Sequence, residues 1–353
     1  MTNATMRAAR FDRASRQLTV QDVPVPRPGP GEVLVRVEAC GICLSDVHII
    51  EGTLPPPPLE QVTPGHEAAG RIERVGPGVT FWQPGQRVVM AGGKNCGACR
   101  HCITGDIMVG AECLNPQTMG QGYDGGWAEY VVVPFPTLTA VPEHVPIEQA
   151  AICADAVATP YNGLIHRGGL RPAEVVGLWG IGGLGVHAVQ IARLAGAGLI
   201  VAVDPNDAAC QRALEFGADY ALNPRKVDVP QEVRRLTDGQ GLDLAAELAG
   251  ANSALAQAVS CLGGRGRAVI IGMCLEPIQL TEPSVLFGYY VHSLLGHLGY
   301  QKRNLNELMR LVGSGRLDLS RSISDLVPLE DVVRGVERLS KKEGNPIRLV
   351  VKP

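Results

Sequence analysis

The hydrophobic and polar positions of this 353-residue chain change their period once. Up to about residue 155, apolar positions fall in short valine-rich segments broken by glycine and proline. Residues 32–38 (EVLVRVE) alternate and residues 87–90 (RVVM) form a brief run, a pattern that predicts strands. The prolines at 55–58 suit neither a central strand nor a helix interior and predict an exposed loop. From residue 156 the texture differs. Apolar runs at 174–179, 199–204, 243–247 and 268–272 alternate with stretches of helical period such as 186–195 (VHAVQIARLA). Buried strands alternating with helices predict a doubly wound parallel sheet, so the fold class is α/β. An amphipathic helix at 304–313 and a strand at 347–351 close the chain. The expected organisation is a mostly-β domain at 1–155, an α/β domain at 156–297 and a C-terminal part at 298–353.

Composition narrows the function classes. Hydrophobic residues make up 45% and charged residues 19%, as in globular rather than disordered chains. The net charge of −3, the lack of a basic block and only 4% aromatics argue against nucleic acid as a partner. The first residues lack the apolar stretch of a signal peptide, and no apolar run is long enough to cross a bilayer. The expectation is a cytoplasmic protein with no membrane partner. In that reducing setting ten cysteines point to metal ligands or catalytic groups rather than to disulfides.

Two motifs carry chemistry. Residues 180–185 read GIGGLG, placing Gly180, Gly182 and Gly185 in a G-x-G-x-x-G pattern between a strand and a helix. That context makes it a dinucleotide fingerprint, in which backbone approaches the pyrophosphate and the helix N-terminus faces it. Asp204 ends the next strand, where a carboxylate accepts bonds from ribose hydroxyls. Pro205 and Asn206 follow, with no arginine to welcome a 2′-phosphate, so NAD is expected over NADP. The competing role for Asp204 is a helix cap. The second motif is Cys96-x2-Cys99-x2-Cys102 with Cys113 ten residues further on, the spacing of a closed, structural zinc site. Unrelated buried thiols are the alternative, strongest for Cys113. Cys43 and His66, on separate glycine-flanked segments, suit a catalytic zinc but by themselves form only an ambiguous pair.

The segments GICLSDVH, GHEAAG, the four-cysteine lobe and GIGGLG occur in the order of the zinc-dependent medium-chain alcohol dehydrogenases, and the chain resembles that family over nearly its whole length. The resemblance implies a GroES-like catalytic domain, to which the C-terminal part returns, and a Rossmann NAD-binding domain. It implies hydride transfer between NAD(H) and an alcohol or its aldehyde or ketone, with two Zn²⁺ per chain, one catalytic and one structural. Cys43 and His66 match the first two catalytic ligands. Asp155, in DAVATPY, takes the third position, with Cys153 as the competitor. Glu67 is implied as a nearby acid or alternate ligand and Asp46 as the carboxylate that orients the histidine. Ser45 and His48 would relay the alcohol proton. Thr159, Gly183, Leu184 and Arg348 would meet the cofactor, Arg348 at the pyrophosphate. The loop before Cys113 is longer than the family's, and we expect it to bulge with Cys113 still bound. The resemblance also places a cleft between the domains, with Ile50, Leu54, Met90 and residues 294–298 as candidate walls or plain core. It implies a homodimer or homotetramer, with 291–298 as a candidate edge strand. Two rivals are a zinc-free quinone or enoyl reductase and a non-enzymatic NAD-sensing or structural protein. The ligand set opposes the first and the Ser45–His48 relay the second.

Overall fold

A computed structural model describes residues 4–105 and 107–353. The chain forms two compact units, Met1–Ala158 with Gly299–Pro353, and Thr159–Leu298.

The first unit is mostly β. Its central strand, Glu32–Ile42, runs past the expected 32–38 because Ala39, Cys40 and Gly41 are small enough to pair closely with Ala69, Ala68 and Glu67. Glu67–Val75 lies antiparallel on one side, and Tyr130–Pro134 and Arg348–Lys352 lie antiparallel on the other. The sheet order is Leu138–Ala140, Arg87–Met90, Glu67–Val75, Glu32–Ile42, Arg348–Lys352, Ile323–Pro328. The period-two residues Val33, Val35 and Val37 face a core shared with Met90, Trp127 and Val351. Met90 is therefore core, not a cleft wall.

The second unit is a six-stranded sheet in which every recorded pairing is parallel. Its order is Tyr220–Leu222, Leu199–Val203, Val175–Trp179, Leu242–Glu247, Leu262–Ile270, Ser293–Gly296. The order reverses beside Val175–Trp179, and a dinucleotide fold binds its ligand at such a switch point. Residues 147–167 form one helical run containing two π-helical segments, Cys153–Val157 and Asn162–Arg167. The division between the units falls inside this run. Among the described residues no helix is long and apolar enough to cross a membrane.

Candidate active site

Strand register assembles the site. Gly41 stands opposite Glu67, and Leu349 opposite Ile42. The ends of three strands thus bring Cys43, the His66–Glu67 pair and Arg348 together, although they are far apart in sequence. Cys43 is the last extended residue before the helix Leu44–Glu51. Asp155 arrives from the π-helical turn Cys153–Val157, an irregularity often found at functional sites. One ligand atom from each of Cys43, His66, Glu67 and Asp155 lies within 4.8 Å of the others. The Asp155 Oδ2 atom is 3.3 Å from Cys43 Sγ and 3.7 Å from His66 Nε2. Asp155, not the fully buried Cys153, is the residue brought into this group.

Asp46 supports both neighbours. Its Oδ2 accepts the Cys43 N–H at 3.0 Å, and its Oδ1 lies 3.3 Å from His66 Nδ1. His66 thereby offers Nε2 to the cluster. Burial pulls the imidazole's proton affinity down, but the Asp46 and Asp155 carboxylates outweigh it and hold the affinity well above the usual range. Burial, then the Asp155 charge, pushes the Cys43 thiol up. Burial also pushes Glu67 up to about 8, against the pull of Arg348. A buried group that attracts protons so strongly is short of positive charge. The thiol, imidazole and carboxylate donors are those zinc takes, so the residues fit a zinc ion.

Arg348 corrects an expectation. It was to reach the cofactor pyrophosphate, but it is 2% exposed. Its guanidinium lies 2.8 Å from Glu67 Oε1 and 3.8 Å from Asp155 Oδ2, and donates to the Ile42 carbonyl at 3.3 Å. It serves the carboxylates of the cluster instead, because the final strand lies beside the one that ends at Ile42, immediately before Cys43. Glu67 is likewise part of the cluster itself.

Ser45 and His48 lie three residues apart on the Leu44–Glu51 helix, and so share a face, and both are half-buried. His48 Nδ1 sits 2.8 Å from the Thr53 hydroxyl, a partner that only the tight turn after Gly52 reveals. Ile50 and Leu54 pack on a small cluster with Phe11, Ile49 and Val62. In the second unit, Leu294 packs on the sheet core and Leu298 is 49% exposed.

The second cysteine group closes. The Sγ atoms of Cys96, Cys99, Cys102 and Cys113 lie within 4.8 Å of one another. The longer loop is taken up by pairing with the segment after Gly299: Val109 N–H donates to the Tyr300 carbonyl at 2.7 Å, and Met108 bridges to Gln301. Backbone N–H groups of Leu114 and Cys102 lower the Cys99 thiol to about 6. Burial and the neighbouring thiols push Cys102 up to about 12. Four sulfurs this close cannot all ionise unless a cation sits among them, and the set fits zinc.

In the second unit the fingerprint loop is built for close approach. Gly180 has φ +91°, and a Cβ on Gly185 would fall 1.9 Å from the Gly180 carbonyl oxygen. A Cβ on Gly182 would meet nothing within 4 Å, so that face of the loop is open to a ligand. Gly183 and Leu184 lead into the Gly185–Leu194 helix, whose start has no side-chain cap. Asp204 accepts N–H groups of Ile181 and Asn206, both at 2.8 Å, and Asn206, not Asp204, caps the next helix. Each carboxylate oxygen keeps a lone pair for a ribose hydroxyl. Thr159 is buried in the same unit.

Comparison with known proteins agrees with this geometry. Residues 29–143 match the alcohol dehydrogenase GroES-like domain, and residues 183–314 match the zinc-binding dehydrogenase domain. The chain belongs to the zinc-dependent medium-chain dehydrogenase/reductase family. It is 33% identical to an alcohol dehydrogenase of Geobacillus stearothermophilus, over 98% of this chain and 99% of the relative. It is 30% identical to an NAD-dependent alcohol dehydrogenase of Sulfurisphaera tokodaii, over 95% and 96%. Among solved structures it is similar to a protein of Sinorhizobium meliloti 1021 described as a zinc-binding dehydrogenase and bound to NADP. The TM-score there is 0.90 at 28% identity, over 99% of this chain and 100% of the other. This member of the family joins a GroES-like domain to a Rossmann domain and is a zinc-dependent oxidoreductase that exchanges hydride between alcohols and NAD(H).

Proposed function

We propose that Cys43, His66 and Asp155 hold the zinc of the reaction centre, with Glu67 as an alternate ligand, and that Cys96, Cys99, Cys102 and Cys113 hold a second, structural zinc. The observation that carries this reading is the convergence of four donor atoms within 4.8 Å at the ends of separate elements, with Asp46 behind His66. When bound, zinc supplies a Lewis acid for the substrate oxygen and the nicotinamide supplies the hydride acceptor. The chain's own residues do the rest. Asp46 fixes the imidazole. The Ser45 hydroxyl takes the alcohol proton and His48, half-exposed, returns it to solvent. Gly180, Gly182, Gly183, Leu184 and Gly185 give the pyrophosphate a backbone cradle, and Asp204 binds the ribose and repels a 2′-phosphate, which selects NAD. The substrate is a small alcohol or its aldehyde or ketone. The enzyme works in the cytoplasm, where its ten cysteines, none of them in a disulfide, stay reduced. It works as a homodimer or homotetramer.

Metal analysis combined with a panel of alcohols and ketones, run with NAD and NADP, tests the reading. Two zinc equivalents per chain are expected, with one lost together with turnover in Cys43→Ser and Asp155→Ala, and a higher kcat/KM with NAD. Variants that keep both metal equivalents and wild-type turnover would overturn the ligand assignment. An NADP preference would overturn the role of Asp204.

A further inference from the structure

Tyr300 has no part in the chemistry described above, yet it touches both ends of the first unit's machinery. It is 3% exposed. Its phenol oxygen accepts the Gly92 N–H at 2.8 Å. Its own carbonyl accepts the N–H of Val109, in the enlarged loop before Cys113. Burial keeps the phenol protonated, and the charges of Asp155 and His66 reach it.

Gly92 is the residue this bond holds. Its carbonyl accepts from Met119 at 3.0 Å, beside the Gly93–Thr118 pair where the cysteine lobe begins and ends. A Cβ placed on Gly92 would stand 3.2 Å from the carbonyl oxygen of His66 and 3.7 Å from that of Ala154, the residue before Asp155. The backbone of Gly92 thus lies between the two segments that deliver His66 and Asp155, and a methyl there would press on the His66 carbonyl, which would have to give by a few tenths of an ångström. Fixing Gly92 fixes the separation of those segments.

We propose that Tyr300 is a positioning residue for the Cys43–His66–Asp155 centre, acting through the backbone of Gly92 and itself gripped by the cysteine-lobe loop. The proposal rests on the reading of that centre as a metal site. It assigns the phenol hydroxyl, rather than the ring, to the task. Tyr300→Phe keeps the ring and leaves the half-buried Gly92 N–H without its acceptor, so the segment relaxes and the ligand geometry loosens.

Cobalt(II) substitution tests this without relying on turnover. Wild-type protein loaded with cobalt should show visible absorption from both centres. In Tyr300→Phe, the bands of the Cys43 centre should shift, and a chelator should strip that centre about tenfold faster, the low end of what outer hydrogen-bond partners of metal ligands cost. The four-cysteine bands should not change. Gly92→Ala, which crowds the His66 carbonyl from the same point, should act in the same direction. If Tyr300→Phe lowers only the melting temperature and leaves spectrum and stripping rate as in wild type, Tyr300 is a packing residue and the proposal fails. Wild-type protein that takes cobalt only at the cysteine lobe would overturn the metal reading itself, and this proposal with it.

Discussion

At the residue scale the decisive side chain after the ligands is Asp46. It satisfies the Cys43 N–H with one oxygen and faces His66 Nδ1 with the other, so one carboxylate contacts two of the proposed zinc ligands. Asp46→Asn can keep the first contact but turns an amide toward the imidazole N–H, favouring the wrong tautomer. We expect a 10–100-fold loss in metal affinity or kcat/KM, read by chelator competition and steady-state rates. A variant with wild-type values in both would show that His66 is oriented by something else. The proposed ligand set was legible only through the family resemblance, since Cys43 and His66 alone form an ambiguous pair and Asp155 takes its place only from the family's motif. The role of Arg348 was not. Its partner Glu67 is set by the register of two strands that both lie on Glu32–Ile42, and no local pattern encodes that register. The family resemblance pointed Arg348 at the cofactor, and the pairing of the last strand placed it under the carboxylates instead.

At the element scale, the fingerprint loop separates fold from function. A methyl on Gly185 would collide with the Gly180 carbonyl, whereas one on Gly182 enters open space. Gly185→Ala should therefore lower the melting temperature by several degrees. Gly182→Ala should fold normally and weaken NADH binding, measured by fluorescence titration. Equal NADH affinity in Gly182→Ala and wild type would remove that loop from the cofactor site. The Leu262–Ile270 strand holds a second device. Arg267 pairs with Glu174 at 2.7 Å and also donates to the Gly169 and Asp243 carbonyls. Burial raises the Glu174 pKa, but the bonds from Arg267 and Arg171 outweigh it and hold the carboxyl below its usual 4.5. A carboxylate depressed in the folded state adds stability above the unfolded value and loses it as pH falls through the folded one. Glu174→Gln should therefore cost about 1–2 kcal/mol at pH 7, a penalty that fades below pH 4.5 in paired denaturant titrations. A penalty independent of pH would assign the effect to packing. Most of the second unit's strands could be read from sequence because fully buried parallel strands are continuous apolar runs. Tyr220–Leu222 and the two-residue strands Gly93–Lys94 and Gln117–Thr118 could not, since pieces so short carry no period.

At the scale of the whole molecule, the question is what covers the outer edge of the six-stranded sheet. Ser293–Gly296 ends the strand order, and the segment leading into it exposes large apolar side chains: Val285 is 73%, Tyr289 76% and Val291 61% exposed. An open strand edge beside an apolar patch is a template for pairing. A second copy related by a two-fold axis would meet it with the same surface, so each contact counts twice. Val291 makes the test clean. Its φ is +56°, a left-handed conformation that a β-branched residue adopts only under strain. Asparagine tolerates that conformation, so Val291→Asn should leave the isolated chain as stable as before, or more so, while removing an apolar contact. Losing about 1.5 kcal/mol of buried surface at each of two symmetric positions should raise the dimer dissociation constant by roughly a hundredfold. Sedimentation velocity over a concentration series would show the variant shifting to monomer where wild type stays associated. If the two sediment alike, this edge does not carry an association of two copies.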